Sequence, residues 1–269
     1  MGKRERSNGP ASGATKVGPA RAADRKRAAS LLKALRAHYP DAHCELNFGT
    51  PHELLVATIL SAQATDVSVN KATPALFARF PSPADYATAD VLEIETYIRT
   101  IGLYRNKAKA IKAAMKSIVE DFGGEVPQTM EGLLTLRGVA RKTANVVLGN
   151  CFGINEGVVV DTHVQRLAVR LGLAPQGSST LAIEKRLMDL FPRDAWCDLS
   201  HLLIFHGRRA CKARMASCAD HPICRGFGRA CELRVSAPTA AGTRSKPTAA
   251  QRKVSPGQRR GRPAPDRGA

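Results

Sequence analysis

The helical spacing of its apolar residues most constrains how this 269-residue chain can fold. From residue 24 to about residue 233, apolar side chains recur every three or four positions, and only the segment 157–161 is a short extended candidate. The fold class is therefore mainly α, and short helices of this kind suit two helical lobes with a groove between them. The pattern predicts helices over residues 24–39, 52–63, 67–79, 89–100, 105–121, 128–135, 141–150, 161–172, 179–191 and 195–206.

The charge of the chain is strongly positive and is concentrated at its two ends. Lys and Arg number 41 against 23 acidic residues, a net charge of +18, which favours nucleic acid as a partner. Residues 1–22 carry five basic and one acidic side chain, and residues 234–269 carry nine and one. Both segments are rich in Gly, Pro and Ser and poor in large apolar residues, so we expect disordered basic arms around a core at 23–233.

The apolar residues also limit where the protein can reside. No run of about 18 apolar residues is present, which excludes a membrane span, and the start lacks the apolar stretch of a secretory signal. The basic start has the composition of a transit peptide, but its only large aliphatic residue, Val17, is too little for an amphipathic helix. We therefore expect a cytoplasmic protein with no membrane partner.

Four of the seven cysteines cluster in a loop-like stretch with the spacing C-x6-C-x5-C-x6-C: Cys211, Cys218, Cys224 and Cys231. Without a secretion signal, such a group indicates metal or redox chemistry, and four thiolates can hold either zinc or an iron–sulfur cluster. A zinc site usually has a shorter C-x2-4-C pair, a gap that His221 could fill, so zinc, a cluster and no metal all stay open. The other three, Cys44, Cys151 and Cys197, lie in apolar helical patterns and are predicted to be small buried hydrophobic residues.

A glycine turn stands directly in front of a basic helix in the stretch "LLTLRGVARKTANVVLG". The pattern indicates a helix-hairpin-helix over residues 130–150 with its turn at Gly138, which would offer backbone N–H groups and a positive helix end to a DNA phosphate. Such contacts position DNA without reading its sequence. Lys142 follows the turn and could be a phosphate contact, a solvated charge or a nucleophile.

An aspartate follows 19 residues after this lysine, at the end of the apolar run in "GVVVDTHVQR". Asp161 is well placed to be a simple N-cap of the next helix. If it faces Lys142 across a cleft, however, the pair has the groups needed for amine chemistry at a sugar. An attacking amine must be neutral, burial and Arg141 oppose the ammonium form, and a nearby carboxylate favours it, so the residues alone leave this open.

Five ordered blocks together resemble a known family. They are "LLVATILSAQATDVSVNKAT" (54–73), "YIRTIGLYRNKAKAI" (97–111), "GVARKTANVVLG" (138–149), "VVDTHVQRL" (159–167) and the cysteine loop at 211–231. Over residues 24–233 the chain resembles bacterial endonuclease III, of the helix-hairpin-helix DNA glycosylases that also cleave abasic sites. The resemblance implies a monomeric, nucleoid-associated enzyme that removes oxidised pyrimidines from duplex DNA and cuts the strand 3′ to the abasic site.

The resemblance also assigns roles to single residues. It implies that Lys142 attacks C1′ and forms a Schiff base that leads to β-elimination, and that Asp161 stabilises positive charge on the sugar. Gln63 then fills the gap left by the flipped nucleotide and Leu103 wedges the duplex open, whereas local pattern alone makes Leu103 a core residue and Gln63 a surface polar residue. The hairpin contacts to DNA fall on Arg137, Gly138, Val139, Ala140 and Arg141.

Two departures from the family pattern stand out. The family loop reads C-x6-C-x2-C-x5-C and holds a 4Fe-4S cluster; here His221 occupies the usual third position, so the four cysteines are our first choice of ligands and a Cys218/His221 arrangement is the alternative. The family hairpin Leu-Pro-Gly-Val-Gly becomes Leu-Arg-Gly-Val-Ala, which removes a fixed φ at Arg137 and a flexible residue at Ala140.

Two other functions compete with this interpretation. A monofunctional adenine glycosylase of the same superfamily would lack the catalytic lysine and would usually carry a further C-terminal domain, whereas Lys142 is present and residues 234–269 form a low-complexity basic tail. A cluster-bearing protein that only holds DNA would need neither Lys142 nor Asp161.

Overall fold

The computed structural model describes residues 18–214 and 221–229, which form twelve α-helices and one 3-10 turn with no strand among them. Most of both basic arms, together with Cys218 and Cys231, lies outside these residues. The α-helices are α1 (Ala22–His38), α2 (Pro51–Ser61), α3 (Asp66–Arg79), α4 (Pro83–Thr88), α5 (Val91–Ile98), α6 (Tyr104–Phe122), α7 (Met130–Thr135), α8 (Arg141–Phe152), α9 (Thr162–Arg170), α10 (Thr180–Leu190), α11 (Trp196–Arg209) and α12 (Pro222–Phe227), with the 3-10 turn at Arg193–Ala195.

All ten helices expected from the sequence are present, and the mainly α class is confirmed. Two six-residue helices, α4 and α12, were missed because neither is long enough to show an apolar period; the equally short α7 was indicated by the hairpin pattern in front of Gly138. A signal for α4 was available. Ser82 and Asp85 form a capping box around the start of the helix, and Pro83 is its first residue. The extended candidate 157–161 forms no strand; it is an irregular connection that buries Val158, Val159 and Val160.

The buried residues form two separate cores, which define two lobes. The central lobe consists of α2 to α8, and the terminal lobe consists of α1 together with α9 to α12. The apolar faces of these helices are buried within one lobe or the other, and α2 is the most enclosed, with eight of its eleven residues buried. The chain therefore leaves the terminal lobe after α1 and returns to it after α8.

Polar side chains connect the two lobes. The Arg141 guanidinium, at the start of α8, donates to the buried Glu184 of α10 over 3.0 and 3.2 Å, and Asn145 donates to the same carboxylate over 3.1 Å. Arg208 of α11 donates to Asp66 over 2.7 Å and also bonds Glu45. The first contacts join α8 to the terminal lobe, and those of Arg208 join α3 and the segment before α2 to it.

Two smaller expectations need correction. Cys44 lies in the irregular segment between α1 and α2, not in a helix, and Cys44, Cys151 and Cys197 are half-buried where full burial was expected. Burial still raises the pKa of each of these thiols, to about 11 for Cys151 and Cys197, which keeps them protonated at neutral pH. Among the described residues, no helix is both long and apolar enough to cross a membrane.

Candidate active site and DNA-facing segments

Lys142 and Asp161 line the same cleft between the lobes. Lys142 is the second residue of α8 and belongs to the central lobe, while Asp161 immediately precedes α9 in the terminal lobe. Gln63, which follows α2, lines the mouth of that cleft beside them. The fold thus brings together three residues that are up to 98 positions apart in the chain.

Asp161 is an N-cap, as the local pattern indicated. Its Oδ1 accepts a hydrogen bond of 2.8 Å from the backbone N–H of Val164, and its backbone is extended, with φ −96° and ψ −173°. One carboxylate oxygen is thereby fixed to the first turn of α9. Because the same side chain lines the cleft, capping holds the carboxylate in place and does not remove it from the site.

A second carboxylate, which the sequence patterns did not single out, lies in the same cleft. Asp66, the first residue of α3, is close enough to Lys142 and Asp161 to interact with both charges. Burial raises the pKa of Asp66, and Lys142 acts in the opposite direction. Arg208 donates to Asp66 over 2.7 Å, a contact that favours the charged form of the carboxylate. The available signal was its place directly after Thr65, the N-cap of α3, which marks a helix start but not a cleft.

The hairpin between α7 and α8 is a tight turn. Gly138 has φ +85°, and the N–H of Val139 donates to the carbonyl of Leu136 over 3.1 Å. A side chain at Gly138 would also approach the Cβ of Ala110 to 3.0 Å. Glycine is therefore required here both by the backbone angle and by the close contact with α6.

The two unusual hairpin residues are compatible with this turn. Ala140 has φ −104° and ψ 168°, which any residue adopts, so the loss of the family's second glycine imposes no strain. Ala140 is also the N-cap of α8 and offers no side-chain acceptor to the first N–H groups of that helix. Arg137 is exposed, and no hydrogen bond or ion pair holds its side chain among the described residues.

Gln63 and Leu103 share a rare backbone conformation. They have φ values of 56° and 61° and are the only non-glycine residues with positive φ in the described part of the chain. Leu103 is 58% exposed, so the local expectation of a core leucine is wrong, while Gln63 is exposed as the local pattern indicated. Left-handed conformations cost such residues about 1–2 kcal/mol, and strain of this kind concentrates at functional sites.

The described part of the cysteine loop brings Cys211 and Cys224 together. Hydrogen bonds from the Cys224 thiol and from Arg170 lower the pKa of Cys211 to about 6, against the effect of burial. His206 Nε2 lies 3.3 Å from the Cys224 sulfur, and ligand atoms of His206, His221 and Cys224 all lie within 4.8 Å of one another. Burial lowers the pKa of His206 to about 3 and also lowers that of His221, so both imidazoles are neutral.

Comparison with known proteins shows which family the chain is similar to. Residues 56–193 match the HhH-GPD superfamily of base excision DNA repair proteins. The endonuclease III of Synechocystis sp. is 53% identical over 199 residues, covering 74% of this chain and 90% of that protein. The endonuclease III of Escherichia coli is 44% identical over 197 residues, covering 72% and 92%.

Solved structures agree with these matches. A trapped covalent intermediate of endonuclease III with DNA, in an estranged-adenine complex, and a non-covalent endonuclease III–DNA complex each superpose with a TM-score of 0.74. Each is 41% identical and covers 78% of this chain and 98% of the solved one. The fold and cleft are those of a helix-hairpin-helix base excision repair protein. Within that class the chain belongs to the endonuclease III family, and it is a DNA glycosylase and AP lyase that binds duplex DNA.

The positive φ of Leu103 leads to a stability prediction. Leu103→Gly relieves the left-handed strain, which roughly offsets the greater freedom of glycine in the unfolded chain, so the free energy of unfolding should stay within about 1 kcal/mol of wild type. Leu134→Gly, an exposed leucine inside α7, is the matched control and should lose about 1 kcal/mol. Urea denaturation of both variants measures this. A larger loss for Leu103→Gly than for Leu134→Gly would show that position 103 is not strained.

Proposed function

We propose that Lys142 is the nucleophile of a bifunctional glycosylase. In this mechanism the Lys142 amine attacks C1′ of the damaged nucleotide, the N-glycosidic bond breaks and the base departs with its electron pair and takes up a proton. Ring opening gives a Schiff base between Lys142 and the sugar. Loss of a C2′ proton then expels the 3′ phosphate by β-elimination and cuts the strand 3′ to the abasic site. The observation that carries this proposal is the shared cleft of Lys142 and Asp161.

Two further observations support a covalent mechanism. The similar structure with 41% identity is a trapped covalent endonuclease III–DNA intermediate, which requires a nucleophile on that protein. In the present chain Lys142 is exposed to the cleft and stands at the beginning of α8, directly after the hairpin. A strand held by the hairpin would therefore lie next to this amine.

We assign to Asp161 the stabilisation of positive charge that develops on the sugar as the base leaves. Its carboxylate is held by the hydrogen bond to Val164, so no reorganisation is needed when the charge appears. A preorganised carboxylate of this kind can also accept or return a proton during Schiff-base chemistry. Capping and catalysis are then two uses of one fixed side chain.

The DNA contacts follow from the exposed segments around the cleft. We propose that Gly138, Val139 and Ala140 form a turn that lies against a phosphate, with the Val139 N–H used within the turn and the first N–H groups of α8, which have no side-chain cap, free to donate to the phosphate. Arg137 is exposed and can approach the same strand. Arg141 is bound to Glu184 through its guanidinium, so its contribution is confined to its backbone N–H.

Gln63 and Leu103 are the candidates for entering the duplex. Both are exposed and both have left-handed backbone conformations at the end of one helix and the start of another. A flipped nucleotide leaves a hole that inserted side chains can fill. We propose that Gln63 occupies this hole and that Leu103 separates the bases beside it.

Oxidised pyrimidines and abasic sites in duplex DNA are the proposed substrates, acted on by a monomer associated with the bacterial nucleoid.

The rival adenine glycosylase would have no use for Lys142, and the rival DNA-holding protein would have no use for the Lys142–Asp161 cleft. The basic arms at residues 1–22 and 234–269 would add attraction for DNA of any sequence that weakens with salt.

We further propose a 4Fe-4S cluster held by Cys211, Cys218, Cys224 and Cys231. The donor set supports it: the sulfurs of Cys211 and Cys224 are buried and in contact, and Arg170 donates to the Cys211 sulfur over 3.3 Å, which offsets thiolate charge. Soft thiolates of this kind suit an iron–sulfur cluster, which would hold the loop in shape.

A chain of hydrogen bonds supports Cys224 as a thiolate ligand. The N–H of Ile223 donates to His221 Nδ1 over 3.3 Å, so the ring proton of neutral His221 is on Nε2 and points to the Tyr39 hydroxyl, 3.3 Å away. Tyr39 then donates to His206 Nδ1 over 2.8 Å, which leaves the Nε2–H of His206 to donate to the Cys224 sulfur. Partners of this kind orient and stabilise metal ligands.

Borohydride trapping on a duplex with an abasic site tests the nucleophile. Wild type should form a stable crosslink because borohydride reduces the Schiff base, and Lys142→Gln should form none. Lys33→Gln, an exposed lysine of α1, is the control and should crosslink like wild type. A crosslink that survives in Lys142→Gln would identify another amine as the nucleophile.

Asp161→Asn separates the two roles of Asp161, because asparagine caps helices about as well as aspartate but carries no charge. The free energy of unfolding should therefore change by less than about 0.5 kcal/mol relative to wild type. Turnover should fall by about 100-fold or more, the usual cost of losing one preorganised stabilising group. Single-turnover cleavage and urea denaturation give the two numbers, and turnover near that of wild type would mean that Asp161 is only a cap.

Iron and sulfide analysis of anaerobically purified protein tests the cofactor. We expect about four of each per chain, as a 4Fe-4S cluster requires. Cys224→Ser should lose most of this iron, whereas His221→Ala should keep it if the four cysteines are the ligands. Zinc in place of iron, lost on His221→Ala, would establish the alternative site with His221.

A further inference from the structure

Lys107 is a buried lysine that the mechanism above does not use. It lies on α6, is only 6% exposed, and its Nζ donates to the backbone carbonyls of Leu60 over 2.9 Å and of Ala62 over 2.6 Å. No carboxylate pairs with it among the described residues, and burial lowers the pKa of its ammonium group. Buried lysines without a counter-ion are costly, so the position calls for a reason.

The two carbonyls belong to the end of α2. The last carbonyls of a helix have no partner within the helix and carry its partial negative charge, so a cation is the favoured group there. Lys107 therefore acts as a cap supplied by a residue 47 positions away in the chain. Gln63, which has a φ of 56°, follows Ala62 directly. The carbonyl that Lys107 binds therefore belongs to the peptide bond between Ala62 and Gln63.

The backbone of Lys107 is hydrogen-bonded to Leu103, the second residue with a positive φ. Its backbone N–H donates to the carbonyl of Leu103 over 3.1 Å in the first turn of α6, where Leu103 is the N-cap with φ 61°. One residue thus contacts, through its side chain, the segment that ends in Gln63 and, through its main chain, Leu103 itself.

We propose that Lys107 is a positioning residue that holds Gln63 and Leu103 at a fixed separation, so that both enter the duplex as one rigid unit. The proposal rests on the proposed insertion of these two side chains into DNA. An ammonium group suits this task because it binds two carbonyls at once, and a carbonyl that turned away would leave an N–H of a buried cation without an acceptor. An apolar residue would fill the space but would leave the turn at Gln63 free to move.

The same geometry argues against Lys107 as a second nucleophile. Its Nζ is bound to two carbonyls, and Lys107 does not line the cleft that contains Lys142 and Asp161. Its effect should therefore appear when a duplex has to be opened and should be absent when it does not. This separates a positioning role from a general contribution to folding.

Lys107→Met tests the proposal against a matched lysine. Lys112, on the same helix, donates to the carbonyl of Ala89 over 2.6 Å at the end of α4, away from Gln63 and Leu103. Cleavage of an abasic site should be measured in duplex and in single-stranded oligonucleotides. On the duplex, kcat/KM of Lys107→Met should fall about 10- to 100-fold, the effect of a misplacement of about 1 Å. On the single strand both variants should match wild type, and Lys112→Met should match it on the duplex too.

A double-mutant cycle with Gln63→Ala provides the second measurement. If Lys107 acts through Gln63, the two losses in duplex cleavage should be far from additive, whereas Lys112→Met combined with Gln63→Ala should be additive. Should Lys107→Met fold poorly, Lys107→Gln, which keeps one N–H donor group in a polar side chain, replaces it in the cycle.

Each outcome has one meaning. Equal losses on duplex and single strand, or additive losses in the cycle, would overturn the positioning role and leave Lys107 a structural residue. Failure of the proposed function is distinct, because wild type itself would then show no borohydride crosslink and no lyase activity on either substrate. Loss of duplex activity in Lys112→Met equal to that in Lys107→Met would also contradict the proposal.

Discussion

The burial of α2 is the constraint on which the rest of the structure depends. Eight of its eleven residues are buried, so this helix cannot shift without opening the core of the central lobe, and burying each large aliphatic side chain is worth about 1.5–3 kcal/mol. Its end is consequently a fixed point in the molecule. Lys107 holds the last carbonyls of α2, and Gln63 leaves this fixed point toward the cleft. Gln63 therefore follows directly on the most fully buried helix of the described residues.

The strain at Gln63 and Leu103 is small against that support. Two left-handed residues cost about 2–4 kcal/mol together, which the packing of the central lobe can absorb. Glycine at either place would remove the strain, but it would also remove the side chain that reaches outward. The chain thus carries bulky side chains where its backbone favours glycine, and the hairpin carries a glycine, Gly138, where bulk would strike Ala110.

The local apolar patterns predicted most of the helices. The residues of the cleft were predicted from the resemblance to the family. The nine helices of eight or more residues have clear apolar periods, and the six-residue α7 was indicated by the hairpin pattern before Gly138, whereas the equally short α4 and α12 show no period. The helix expected over 52–63 ends at Ser61, because positive φ at a glutamine has no sequence signal. The partnership of Lys107 with the end of α2 spans 47 positions, and such long-range contacts cannot be derived from the spacing of nearby residues.

The cleft itself is built from the positive ends of two helices. Lys142 stands in the first turn of α8 and Asp161 directly before α9, so the N-termini of both helices converge on one place. Helix N-termini attract anions, which suits a DNA phosphate at α8 and stabilises the Asp161 carboxylate at α9. Because the lobes are joined here by Arg141 and Glu184, a movement that separated Lys142 from Asp161 would have to break an ion pair whose carboxylate is buried. The same contact that joins the two lobes therefore keeps Lys142 and Asp161 on one cleft.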